Sequence, residues 1–129
     1  MREILFRGED EFGWLYGDLV HTGNKVGIKT SEGIFIVPDE TIGQYTGLCD
    51  KRGNRIFEGD IVRITGFDYL EKKDVDYIAR VVYLSGGFCA ADGPLDNYAV
   101  GVYALPRQDL VLEVIGNIYD NTELLEVEQ

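Results

Sequence analysis

Apolar and polar residues alternate with a period of two along much of this chain, and the alternation is broken repeatedly by short clusters of Gly, Asn, Asp and Ser. That rhythm predicts antiparallel strands joined by tight loops. Glu3 to Arg7 reads as a first strand, followed by an acidic turn at Glu9-Asp10-Glu11 and Gly13. Trp14 to His21 is the second, and its period puts Trp14 and Tyr16 on one face and Leu15, Gly17 and Leu19 on the other. After Thr22-Gly23-Asn24, the segment Lys25 to Thr30 points Val26 and Ile28 one way and Lys25 and Lys29 the other. Ser31-Glu32-Gly33 then leads into Ile34-Phe35-Ile36-Val37. That run is apolar on both faces, which predicts an interior strand stopped by Pro38.

The densest punctuation lies between Thr41 and Ile64, TIGQYTGLCDKRGNRIFEGDIVRI, which reads as a nucleus of turns between two halves of a small β-protein. Gly43 and Gly47 are candidate turn residues, placed where the backbone needs φ > 0 or an approach too close for a Cβ. Asp50, Gly53 and Asn54 form a polar turn, and Gly59-Asp60 opens the strand Ile61 to Ile64. Beyond it, Gly66 to Asp76 reads as a long mobile loop or a hairpin extension, and Tyr77 to Leu84 as a strand. Ser85-Gly86-Gly87 turns the chain into Phe88 to Ala91. The signals blur from Asp92 to Arg107. Gly93-Pro94 and Asp96-Asn97 mark turns there, and Tyr98 to Leu105 reads as a strand or an irregular segment. Leu110 to Tyr119 is extended, Gly116 and Asn117 are further turn candidates, and Asn121 is placed to cap one helical turn through Glu126. No long helix is expected. The predicted class is mainly β, a small antiparallel barrel-like fold with long loops and at most short helices.

Several of these stretches also resemble a known family. T-I-G-Q-Y-T-G-L followed by I-F-E-G-D-I-V-R is similar to the signature of the YopX family of phage and prophage proteins. The resemblance extends to Ile4-Leu5-Phe6-Arg7-Gly8, to Gly13-Trp14-Leu15-Tyr16-Gly17-Asp18-Leu19, and to Val114-Ile115-Gly116-Asn117-Ile118-Tyr119 with Leu124-Leu125. It departs at Thr122, where the family commonly has proline after the asparagine. The resemblance implies a β-rich fold and a viral or prophage origin, and no activity, since the family has no established one. A single domain over residues 1–129 is expected, with an N-terminal β part over about 1–40, a barrel-like part over about 41–121 and an acidic tail over about 122–129. The repeated Gly-Asp-apolar-Val of Gly17 to Val20 and Gly59 to Val62 suits strand entries in an SH3-like part by analogy.

Composition narrows the function classes. The formal net charge is −11, which opposes a sequence-independent grip on nucleic acid. Six acidic residues and no Lys or Arg fall between Asp109 and Gln129, whereas Lys51, Arg52, Arg55 and Arg63 form a basic cluster. Such patches either meet head to tail in a homo-oligomer or are simply solvated, and solvation is the commoner use. Cys49 and Cys89 have no metal-ligand spacing and read as mostly buried thiols in a reducing compartment. Met-Arg-Glu-Ile lacks the apolar core of a signal peptide, and no apolar run is long enough to span a bilayer. A soluble protein in the cytoplasm of a bacterial host is expected.

Catalytic motifs are absent from the sequence. His21 is the sole histidine, no G-x-S-x-G elbow or P-loop occurs, and Asp74-x-Asp76 lacks the rest of an EF-hand. No catalytic residue, metal ligand or cofactor is expected, and Asp18 and Asp60 read as caps of strand entries. The aromatic content is more suggestive, with Tyr69, Tyr77 and Tyr98 beside the long loop and the blurred segment as the candidate interaction face. The leading expectation is a non-enzymatic module that binds a host or phage protein. The alternatives are a nucleic-acid-linked role, through acidic mimicry by Glu113 to Glu128 or direct binding by Lys51, Arg52 and Arg55, and a small metal-dependent hydrolase built on Asp60 and His21.

Overall fold

The computed structural model describes residues 3–69, 71–84, 86–91, 102–105 and 109–126. Among them the chain is built from antiparallel strands, and its helical content is one turn of 3-10 helix at Asp39–Thr41 and a four-residue α-helix, α1, at Glu123–Glu126. The expected mainly-β class is observed. The chain divides into two compact units, the first ending at Gly47 and the second beginning at Leu48. Among the described residues no helix is long and apolar enough to cross a membrane.

In the first unit, strands β1 (Phe6–Asp10), β2 (Gly13–Thr22), β3 (Lys25–Thr30) and β4 (Gly33–Val37) follow one another as antiparallel hairpins. β5 (Gly43–Cys49) returns to the other side of β1, pairing Gln44 with Phe6 and Gly43 with Arg7, so the order runs β4-β3-β2-β1-β5. The alternation within β2 and β3 sends Ile28 to a fully buried position. β1 and β4 are separated by two strands along the sheet, yet a Cβ on Gly8 would lie 2.7 Å from Val37 Cγ2 and 3.1 Å from Ile42 Cδ1. The sheet is therefore rolled onto itself across its apolar face. Gly17 makes the roll tighter still, because a Cβ there would overlap the backbone carbonyl of Lys29. The roll is barrel-like without closing, since β4 is a terminal strand.

That position overturns one expectation. The stretch Ile34 to Val37 is an edge strand, not an interior one, with Ile34 53% and Ile36 45% exposed. An apolar residue at every position is compatible with burial on both faces, and here only the face bearing Val37 is covered.

In the second unit, β6 (Arg55–Phe57) precedes a five-stranded sheet of β7 (Asp60–Asp68), β8 (Lys73–Leu84), β9 (Gly87–Ala91), β10 (Val102–Ala104) and β11 (Leu110–Asn117). Its order is β10-β9-β8-β7-β11, with every neighbouring pair antiparallel. Period-two alternation gathers Val62, Ile64, Val75, Ala79, Val81, Ala90 and Leu110 with Ile56 into one buried cluster, against which Leu48, Tyr77, Leu112 and Val114 pack. Each fully buried Val, Leu or Ile among them contributes roughly 1.5–3 kcal/mol, which is what keeps the sheet in this register.

The stretch from Gly66 to Asp76 is a hairpin extension, paired through to Asp68 opposite Lys73. At its tip the buried Asp68 carboxylate accepts the Glu71 N–H at 3.1 Å, and Lys72 takes a φ of 54°. At the other end of the unit, Asn117 Oδ1 accepts the N–H groups of Tyr119 and Asp120, and Asn121 Oδ1 reaches back to the Asn117 N–H. Asn121 thus pins the end of β11 with its side chain and serves α1 with its backbone carbonyl, which accepts the Leu124 N–H. α1 is held by Leu125, 5% exposed.

Candidate functional site

The site begins with a turn of five residues. Asp50-Lys51-Arg52-Gly53-Asn54 closes through Asp50 N–H to the Asn54 carbonyl and Gly53 N–H to the Asp50 carbonyl, with Gly53 at φ 85°. The Asp50 carboxylate fills the turn from inside. Oδ1 accepts the N–H groups of Arg52 and Asn54, each at 2.9 Å, and Oδ2 accepts the Asn54 side-chain amide at 3.3 Å. Oδ2 also accepts the Val114 N–H at 2.9 Å, and Lys51 N–H donates to the Leu112 carbonyl, so the turn is riveted to β11. Burial works to raise the pKa of this carboxyl. The hydrogen bonds from Val114, Asn54 and Arg52 outweigh it, and the group titrates below its ordinary value.

Docking the turn on β11 fixes where its cations lie. Arg52 Nη2 sits 3.0 Å and Lys51 Nζ 3.6 Å from the carboxylate of Glu113, which is half-buried while both cations remain largely exposed. Glu113 lies directly opposite Arg63 of β7, and Arg63 in turn forms a two-pronged pair with Asp76 of β8, Nε at 3.0 Å and Nη2 at 2.9 Å. The Arg63 hydrogen bonds hold the Asp76 carboxyl below its ordinary value. The result is a row of three cations and two carboxylates on one face of a chain whose net charge is −11.

Beside this row an apolar groove of about 320 Å³ opens, lined by Leu48, Ile56, Leu105, Leu110, Val111 and Leu112, with Cys49 and Lys51 also contributing to its wall. Val111 is 44% exposed. The groove exists because β11 turns alternate residues to opposite faces, so that Leu110 and Leu112 serve the core while Val111 and Glu113 face outward.

The residues singled out in the sequence are distributed as follows. Tyr69 is 70% exposed at the hairpin tip and meets Phe67 edge to face, ring centroids 4.8 Å apart. Tyr77 is half-buried against the core and edges a shallow cleft with Arg63 and Asp76. Tyr98 lies outside the described residues. Asp60 is buried and its Oδ2 accepts the Phe57 N–H at 2.7 Å, beside Gly59 at φ 93°. Asp18 is an exposed residue within β2 opposite Lys29, so it does not cap a strand entry. Gly43 and Gly47 lie within β5, where Gly47 has a φ of 87°. Gly116 sits under the Asn121 side chain, whose Oδ1 would be 2.7 Å from a Cβ. Cys89 is buried as expected, whereas Cys49 is exposed; neither is in a disulfide. His21 is exposed in the first unit. Among the described residues no group of His, Cys, Asp and Glu is arranged to hold a metal ion.

Sequence reasoning found the Asp50 turn and missed its anchor. The signal for Glu113 was present, as a single carboxylate inside the apolar run Leu110 to Ile115.

Two antiparallel sheets, a turn clamped by a buried aspartate and a charged row beside an apolar groove define a mainly β protein. The chain belongs to the YopX family, described as YopX protein, which matches residues 16–126. No curated protein matches the chain.

Proposed function

We propose that this chain is a non-enzymatic protein-binding module of phage or prophage type, acting in the cytoplasm of the bacterial host. The groove of the second unit carries the reading: an apolar trough beside Lys51 and Arg52 suits a protein segment that presents an apolar side chain next to carboxylates. Pairing of both cations with Glu113 keeps them ordered at the rim and lowers the cationic field that a nucleic-acid backbone would need. The exposed Tyr69 of the hairpin tip, with the half-buried Phe67 against its ring, supplies a further contact point.

The test is capture from bacterial lysate by the tagged chain, compared with Val111→Asp and with Lys51→Glu/Arg52→Glu. One defined protein should be retained by the native chain, released by raised salt, and lost in both variants at unchanged circular dichroism. Retention of the same protein by the variants, or retention of nucleic acid in its place, would remove the reading.

A further inference from the structure

Edge strands in natural proteins are usually blunted by a charge, a proline or a bulge, because their outer backbone groups invite another strand. β4 has none of these between Gly33 and Val37, and it ends the sheet of the first unit with Ile34 and Ile36 exposed side by side. These two cover Gly27 of β3, where a Cβ would meet Ile34 Cγ2 at 3.2 Å and Ile36 Cδ1 at 3.4 Å.

The strand also reads the same in both directions about its centre, as Ile34-Phe35-Ile36. We infer that β4 pairs antiparallel with β4 of a second copy of this chain about a two-fold axis at Phe35. Ile34 of each copy then stands opposite Ile36 of the other, on the exposed face, and the four isoleucines form one apolar ladder. The backbone works equally well. In an antiparallel ladder alternate residues bond to one neighbour and turn their N–H and C=O to the opposite edge. A two-fold at Phe35 pairs each outward-facing residue with another of the same set, so no donor meets a donor.

Charge supports the same register. Extended by one residue at each end, this pairing would set Glu32 of one copy opposite Pro38 of the other, and the β3–β4 register, whose last pair is Val26 with Val37, would if continued bring Pro38 next to Lys25. Glu32, in the turn that precedes β4, and Lys25, at the start of β3, are both exposed. Two inter-strand steps, about 10 Å between backbones, separate them, a gap that a lysine and a glutamate side chain span together. The cleft waiting there, about 420 Å³, includes Lys25, Ile36, Val37, Pro38 and Asp39 in its wall. The turn that carries Glu32 is closed by its own N–H, which donates to Thr30 Oγ1 at 3.0 Å. The symmetry makes this contact twice.

This inference is independent of the groove reading, because it uses the first unit alone. Sedimentation velocity from about 10 µM to about 1 mM should show a concentration-dependent dimer, at the weak end of the interface range for so short an edge. Ile36→Lys should raise the dissociation constant at least about tenfold. Lys25→Glu and Glu32→Lys should each weaken association by about threefold or more, and the double variant should restore it. Val111→Asp should leave it unchanged. A monomer throughout, or an Ile36→Lys chain that associates like the native one, would overturn the pairing. Failure of the charge swap to restore association would overturn the register centred on Phe35.

Discussion

Replacing Asp50 by alanine tests the physical account of the turn most directly. The carboxylate accepts three backbone N–H groups and one side-chain amide, and its residue is only 7% exposed. Arg52 and Asn54 are exposed, so on loss of the carboxylate water can take over their N–H groups, at a net cost of about 0.5 kcal/mol each. Val114 is half-buried under the turn, and losing a charged acceptor there costs about 1.5–3 kcal/mol. The sum is about 3 kcal/mol, which for a chain of this size lowers the melting temperature on the order of 10 °C. Asparagine should fall between, since one of its two terminal atoms is a donor and cannot serve its share of the N–H groups. The pH dependence has a fixed sign. The folded-state pKa lies below the ordinary value of 3.8, so the contribution is present above that value and fades as pH falls through the lower folded-state pKa. Urea unfolding of native and Asp50→Ala chains at pH 7, melts at pH 5 and pH 3, and amide exchange at Val114 provide the measurements. The gap between the two chains should narrow in acid, and Val114 should lose protection in the variant. A difference under about 0.5 kcal/mol at pH 7, or a gap that does not narrow, would refute the reasoning.

Other consequences follow from single contacts. Gly17→Ala should destabilise the first unit by about 2–3 kcal/mol, read from Trp14 fluorescence during unfolding, because its methyl meets a backbone carbonyl that cannot step aside. Arg63→Gln should leave the unfolding midpoint almost unchanged, yet move the Asp76 carboxyl titration upward toward its ordinary value, visible in carboxyl carbon NMR shifts. Thiol titration of the native protein should modify Cys49 quickly and Cys89 only after unfolding, since the first is exposed and the second is buried with its thiol directed at the Gly87 carbonyl at 3.8 Å.

What the sequence made legible was whatever depends on near neighbours. The hairpins from Trp14 to Thr30 followed from period-two alternation and turn residues, both local properties. The polar turn at Asp50, Gly53 and Asn54 was visible for the same reason. Its rivet to Val114 was not, because the partner is 64 residues away and Asp50 looks like any turn aspartate. Ile34 to Val37 was misplaced by the same limit: an apolar run states how much surface wants cover, and only topology decides whether a neighbour supplies it. Tyr77 beside a charged stretch looked available for contacts, yet its position in β8 falls on the core-facing parity with Val75, Ala79 and Val81.

The Gly-Asp-apolar-Val repeat shows how far a local pattern can go. At Gly59-Asp60 the glycine takes a positive φ and the buried aspartate holds the Phe57 N–H, which makes the dipeptide the entry to β7. At Gly17-Asp18 the same letters fall in the middle of β2, where the glycine leaves room for the Lys29 carbonyl and the aspartate faces solvent opposite Lys29. One glycine is kept for its dihedral angle and the other for its missing Cβ. The likeness therefore reflects two separate steric demands met by the same residue. Substitution separates the two: relieving the crowding at Lys29 would make Gly17 replaceable, whereas no change of neighbours would free Gly59, whose constraint lies in its own backbone.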